Sequence, residues 1–230
     1  LRIRKPAKHE QQKLNPLSEH ELSCFANCLI MRNEEFIIHQ LLQIQSGLRV
    51  EEACSFPLSL IQYPDKLTLR YEVDIGPFNG VHTKYGKCRG IEIPKTLMRR
   101  MYYYSISERR HLRAKKRLNP KGYLLINRFG LPFTSNNVQQ HFRRMRITIK
   151  QDYQINFSHR THDLRATYGT YRLDSLLEYL PEGDALALIM SWMGHKDEKT
   201  TWKYLRYLRK EEANQSAVLM LDQIMEEAMS

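Results

Sequence analysis

The chain has no long apolar run. Its longest, Ala185 to Met193, spans nine residues and is interrupted by Ser191, whereas a bilayer-crossing helix needs about 20. Cysteine is sparse too: Cys24, Cys28, Cys54 and Cys88 form no CxxC pair and fall far short of a disulfide scaffold, which fits a reducing compartment. The amino terminus carries neither an initiator Met nor the apolar core of a signal peptide, so the chain reads as an unsecreted piece of a longer protein. Acidic residues are in deficit. Twenty-five Asp and Glu face 36 Lys and Arg over 230 residues, for a net charge of +11 and a pI near 9.5. That excess favours a polyanionic partner, because neutralising phosphates releases condensed counterions. With 42% hydrophobic residues the chain is long and apolar enough to enclose a core, which sets it apart from a disordered polyelectrolyte. A soluble, cytoplasmic, DNA-associated protein is the expectation.

Residues 1–18 are polar, contain Pro6 and Pro16, and read as a linker from a preceding module. From Glu19 the pattern turns helical, with Ile37, Ile38, Leu41 and Leu42 forming one stripe and Gly47 a natural stop. Residues 66–94 alternate instead. Lys66–Val73, Gly80–Lys84 and Cys88–Ile93 predict a small three-stranded antiparallel sheet ended by Pro94, with a turn at Tyr85-Gly86-Lys87. Helical patterns resume at 95–117, then a turn at Asn119-Pro120-Lys121-Gly122, then further helices at 135–150, 161–180, 184–193 and 197–228. The fold class is α+β, mainly α-helical with one small sheet.

Four separated segments carry the chemistry. Gly47-Leu48-Arg49-Val50-Glu51-Glu52 places an Arg just after a helix stop. His162-Asp163-Leu164-Arg165 puts a His and an Arg on one helical face. Met193-Gly194-His195 is followed nine residues later by Tyr204, and Lys84 sits at a hairpin turn. Taken singly, each has a plainer reading. Arg49 would cap a helix end, His162 and Arg165 would be a surface pair, and Tyr204 would be amphipathic packing. His195 would be a loop residue, and Lys87 competes with Lys84 for any role in that turn. It is their order and spacing together that carry weight.

This ordered set resembles the tyrosine recombinases, the phage integrase family, from about Leu17 to Tyr207. Ala166 stands where relatives often have a second His, and Met193 where Leu is usual. The resemblance implies the catalytic domain (residues 19–207) of a site-specific recombinase or integrase of a bacterial mobile element. Such an enzyme cuts duplex DNA through a 3′-phosphotyrosyl link and needs no metal, ATP or organic cofactor. Arg49 and Arg165 would hold the non-bridging oxygens as permanently charged forks, and Tyr204 would be the nucleophile. Lys84 would protonate the leaving oxygen, His162 and His195 would orient the phosphate and handle the tyrosine proton, and Glu52 would hold the first Arg. A synaptic tetramer on DNA is implied for the full-length protein. Alternatives are a type IB topoisomerase-like relaxing enzyme and a non-catalytic DNA-binding domain of the same fold.

Two basic runs are expected to grip the DNA backbone: Arg109, Arg110, Arg113, Lys115, Lys116 and Arg117, and then Arg143, Arg144 and Arg146. His159 and His162 raise a zinc site with His195, but no carboxylate or Cys completes a recognisable spacing. Cys24 and Cys28, one helical turn apart, are expected as buried thiols. In the 208–230 tail, Ala217, Val218, Leu221, Ile224 and Met225 form an amphipathic stripe suited to packing on its own domain or on a neighbouring protomer.

Overall fold

A computed structural model describes residues 14–117 and 122–212. The first part of the expected linker, most of the turn at 119–122 and the apolar stripe from Ala217 to Met225 lie outside those residues.

Local signals set the helix boundaries. Helix α1 (Glu19–Leu29) starts at Ser18, whose Oγ accepts from the Glu21 N–H while the Glu21 carboxylate accepts from the Ser18 N–H. Helix α2 (Glu34–Ser46) is capped by Asn33 and ends at Gly47, left-handed at φ 65°. A single turn, α3 (Val50–Cys54), follows at once. Strands β1 (Arg70–Ile75) and β2 (Arg89–Pro94) pair antiparallel, Arg70 opposite Pro94 and Ile75 opposite Arg89. Five further helices complete the order: α4 (Lys95–Ser105), α5 (Glu108–Ala114), α6 (Ser135–Tyr153), α7 (Thr161–Leu177) and α8 (Glu182–Met193). A last helix, α9, covers 198–212.

One expectation needs correcting and two gain detail. The sheet has two strands among the described residues, not three. Residues 80–84 form no strand, because the chain leaves β1 through a 3-10 turn (Pro77–Asn79) and turns again at Gly80, φ 86°. Lys84 nevertheless lies in the connection between two paired strands, in a second 3-10 turn (Lys84–Gly86). The helical stretch at 95–117 is two helices, since Ser107 Oγ accepts from the Arg110 N–H and starts α5 afresh. The end of the expected linker is fixed in place: Leu17 is buried, its N–H donates to Thr167 Oγ1 at 2.9 Å, and its carbonyl accepts from Tyr171.

Two apolar cores result. The larger joins α1, α2, α4 and α6 with the inner face of the sheet through residues such as Phe36, Ile38, Ile91, Met98 and Phe142. The smaller holds α7, α8 and α9 together through Leu173, Ile189, Met193 and Leu205, and it includes Tyr204. Helix α7 packs against both α2 and α8, so Arg165 in its second turn lies at the seam between the two cores. Cys24, Cys28 and Cys54 are buried thiols and Cys88 is exposed.

Candidate active site

The site is assembled around the end of α8. The last carbonyls of a helix have no partner within it and carry the negative end of its dipole. Here they draw three guanidiniums. Arg89 Nε donates to the Trp192 carbonyl at 2.8 Å. The Met193 carbonyl accepts from Arg49 Nη2 at 3.4 Å and from Arg165 Nη2. Arg165 spends its other arm on the carbonyl of Gly47, the residue that ends α2. A side chain at Gly47 would lie 2.5 Å from the Tyr168 ring, so both its left-handed conformation and its surroundings require glycine.

Glu52 organises this charge. Fully buried, it accepts from the Arg49 backbone N–H at 2.8 Å and from Arg49 Nη1 at 2.9 Å. It also takes a two-pronged bond from Arg89, at 2.9 and 2.6 Å. Burial by itself would push the Glu52 carboxyl up. The Arg89 bonds and charge, helped by the Arg49 N–H and by Arg165, outweigh this and hold it down at about 2. Burial lowers the Arg165 guanidinium to about 9, with Arg49 and Arg89 adding to the effect, which still leaves it charged at neutral pH.

Past α8 the chain turns on Gly194 (φ 58°), where a Cβ would lie 2.8 Å from Arg89 Cδ. His195 Nδ1 then pairs with Thr201 Oγ1 at 2.9 Å. Its ring stacks on Tyr204, 5.9 Å between centroids and 15° between planes. Burial, then Arg165, Arg49, Arg89 and His162, drive the His195 pKa down to about 3, so this imidazole is neutral. Tyr204 is only 6% exposed. Burial raises its phenol pKa, while Arg165 and Arg49 pull it back. Space for its ring comes from Gly169 in α7, where a Cβ would be 2.6 Å from Tyr204 Cε1.

His162 reaches solvent at the start of α7. Its surroundings and the positive charges of Arg165, Arg49 and Lys84 lower its pKa, with Asp163 opposing. Lys84, exposed in its loop, lies with its amine 5.1 Å over the Tyr85 ring, and the same ring receives Lys196 at 4.1 Å. Beside His162 opens a cleft of about 570 Å³, lined by Gln139, Arg143, Arg146, Arg160 and Thr161 among others.

Some expected residues lie elsewhere. Arg110 is no surface cation: it is buried and donates to the Leu124 and Tyr123 carbonyls at 3.0 and 2.9 Å, bracing the segment after α5. Arg109 and Arg113 are committed to buried Glu35. Lys115, Lys116 and Arg117 are exposed, although Lys116 donates to the Arg128 carbonyl. On α6, Arg143 and Arg144 are exposed and Arg146 is partly buried. His159 is tied to the segment around the start of α1. It is buried against Glu21 at 2.9 Å and Asn15 at 3.0 Å, and no metal-holding group of three ligands occurs among the described residues.

The sequence reading missed Arg89. Its signal was there: in Arg89-Gly90-Ile91-Glu92-Ile93 the strand alternation puts Arg89 on the same buried face as Ile91 and Ile93. A charge in an apolar row needs a buried partner.

The profile of the phage integrase family matches residues 7–211 of this chain. The chain belongs to the phage integrase family. Its fold is the tyrosine recombinase catalytic fold. One similar solved structure is the pre-cleavage complex of the XerH site-specific recombinase bound to its difH substrate (TM-score 0.60, 15% identity, covering 84% of this chain and 51% of that one). Another is the Tn1549 transposon integrase in complex with a circular intermediate DNA (TM-score 0.65, 13% identity, covering 85% and 62%). A third is the XerA recombinase (TM-score 0.59, 18% identity, covering 87% and 65%). This member of the family therefore spans between about half and two-thirds of the length of these solved chains. No curated protein matches it by sequence. Among the described residues no helix is long and apolar enough to cross a membrane.

Proposed function

We propose that this chain is the catalytic unit of a site-specific DNA recombinase or integrase that cleaves and rejoins duplex DNA through Tyr204. The reading rests on one observation above all. Two arginines distant in sequence, Arg49 and Arg165, meet on a single carbonyl, that of Met193, two residues before the histidine on which Tyr204 stacks. Each guanidinium keeps unspent N–H donors for an incoming phosphate. Fixed positive donors aimed at developing charge usually contribute more to such catalysis than any other feature of a site.

In the cleavage step the Tyr204 oxygen bonds to phosphorus and the bond from phosphorus to the 5′ oxygen breaks. Lys84 gives its proton to that leaving oxygen, and the Tyr204 proton passes to the histidine side of the site. The product is a 3′-phosphotyrosyl link and a free 5′-hydroxyl, and reversal by another 5′-hydroxyl rejoins the strand. Arg49 and Arg165 carry the charge on the non-bridging oxygens, Glu52 holds Arg49, and His162 stands at the mouth of the site. Joining of two duplexes needs several protomers, so we place the full-length protein in a synaptic tetramer on DNA, in a bacterial cytoplasm. The +11 charge and the arginine-lined cleft beside His162 support duplex DNA as the partner.

The test is a nicked suicide duplex incubated with the protein and resolved on a denaturing gel. A covalent protein–DNA adduct is expected from the native chain and none from Tyr204→Phe, with duplex binding retained. An adduct that persists in that variant moves the nucleophile elsewhere, Tyr207 first.

A further inference from the structure

Arg89 is buried beneath the site, and its side chain makes three hydrogen bonds where those of Arg49 and Arg165 make two each. Its side chain is 5% exposed. One edge of its guanidinium closes a two-pronged pair with Glu52 on α3, and Nε holds the Trp192 carbonyl at the end of α8. The residue itself belongs to β2. Three elements that carry or flank the site, β2, α3 and the end of α8, are thereby tied to one planar fork.

The geometry points to Arg89 as a positioning residue: by fixing Glu52 it fixes the fork of Arg49, and by fixing the end of α8 it fixes the carbonyl on which Arg49 and Arg165 converge. This inference rests on the proposed cleavage chemistry and assigns the residue that holds its two forks in register. Three points support it. Glu52 Oε1 is shared, accepting from both Arg49 Nη1 and Arg89 Nη1 at 2.9 Å, so movement of either fork is felt by the other. Gly194 is required where it stands partly because Arg89 Cδ would lie 2.8 Å from its Cβ, so the turn into His195 is shaped around this side chain. Arg89 is also among the charged groups that act most strongly on His195, with Arg165 on α7 and Arg49 before α3. A lysine keeps the charge but supplies a point donor where a planar fork now bridges two acceptors.

Arg89→Lys, Glu52→Gln and the double variant should be compared at equal folded concentration, verified by circular dichroism. Three quantities are read: the rate of adduct formation on the nicked duplex, affinity for a plain duplex, and calorimetric affinity for tungstate, a phosphate-like oxyanion, with Arg49→Ala as control. For Arg89→Lys the expected result is a loss of about tenfold or more in adduct rate. Tungstate should bind several-fold more weakly, and duplex affinity should stay within about twofold. The double variant should lose less than the product of the two single losses, because Arg89 acts in part through that carboxylate. Native-like adduct rate and tungstate binding in Arg89→Lys would overturn the assignment, as would losses that multiply in the double variant or tungstate binding that ignores Arg49→Ala. Should the native chain form no adduct, the cleavage reading fails by itself, and the tungstate arm still decides whether Arg89 positions an oxyanion site.

Discussion

Tyr104 and Tyr204 make an instructive pair. Both are tyrosines almost wholly withdrawn from solvent, and each feels arginines from a cluster built on a buried glutamate. Around Tyr104 the cluster is Glu35 with Arg109 and Arg113, and Arg110 lies next to it. Around Tyr204 it is Glu52 with Arg49 and Arg89, and Arg165 lies next to it. Burial raises both phenols. At Tyr104 the charge of Glu35 raises the pKa further against the pull of Arg113 and Arg110. At Tyr204 the charges acting are Arg165 and Arg49, and both favour the phenolate. The same residue types thus surround one phenol with a carboxylate's charge and the other with arginine charge. What differs is which charges reach the phenol: Glu35 acts on Tyr104, whereas Arg165 and Arg49 act on Tyr204.

The contrast is sharpest for the phenols themselves. Removing the hydroxyl in Tyr204→Phe should abolish the adduct outright. Tyr104→Phe should leave adduct formation within about twofold and shift stability by no more than about 1 kcal/mol. If the Tyr104 variant lost cleavage as fully, the distinction drawn from the two environments would be wrong.

The arginines should separate in the opposite direction. Arg165→Lys keeps a charge but loses the fork, and adduct formation per folded molecule should fall about 10²–10³-fold. Arg110→Met strips the donors from two buried carbonyls, so it should cost roughly 3 kcal/mol of stability. Its adduct rate per folded molecule should be unchanged. Urea denaturation together with the suicide-substrate assay measures both quantities. A large catalytic loss in Arg110→Met would mean that the segment it braces reaches the DNA.

Much of this contrast was legible in the sequence, and the part that was not has a common cause. The ordered segments Gly47–Glu52, His162–Arg165 and Gly194–Tyr204 identify their residues because chemistry fixes residue type and spacing together. The helix start at Glu19 and the stop at Gly47 were equally readable, since helix ends depend on neighbouring residues. The basic run from Arg109 to Arg117 read as a solvated face because its partner, Glu35, lies on another helix. Glu35 adjoins the Phe36-Ile37-Ile38 apolar block, and a carboxylate there demands a distant cation. Arg89 escaped for the same reason: its partner Glu52 is 37 residues away. The third strand failed differently. Residues 80–84 have the alternation, but the 3-10 turn at Pro77–Asn79 and the left-handed Gly80 redirect the chain before a strand can pair. Periodicity reports which face of a segment is buried, not whether a neighbouring strand is there to pair with it.

Acid should also distinguish the Tyr204 side of the molecule. Glu52 has a folded pKa of about 2, below the ordinary carboxylate value of about 4.3. Its stabilisation is therefore fully present above the unfolded value and is lost as pH falls from about 4.3 towards about 2. That contribution amounts to roughly 3 kcal/mol. His195 works in the same sense. It is held neutral down to about 3, while the unfolded imidazole takes up a proton near 6.5, so stability falls with pH across that interval too. Glu52→Gln should flatten the lower part of the stability profile in urea titrations between pH 5 and 3. A profile as steep as that of the native chain would place the acid sensitivity on other groups, with Glu35, whose pKa is also lowered, the first candidate.

The smallest effect expected concerns the two basic runs, and it tests whether commitment to an internal carboxylate removes an arginine from DNA binding. Arg143 and Arg146 line the cleft beside His162 without an ion-pair partner among the described residues. Arg109 is bound to Glu35 through Nε at 2.9 Å and Nη2 at 3.2 Å. A guanidinium already neutralised releases few counterions when a phosphate approaches, so only the first pair should contribute to salt dependence. Arg143→Gln together with Arg146→Gln should lower the slope of log affinity against log salt by about 1 for each phosphate no longer neutralised, with binding weakened alike on all sequences. Arg109→Gln should leave the slope unchanged. Equal slopes in all three proteins would show that α6 does not meet the DNA backbone. A reduced slope in Arg109→Gln would show that Glu35 releases its partner to the duplex, and the Tyr104 and Tyr204 clusters would then differ in degree only.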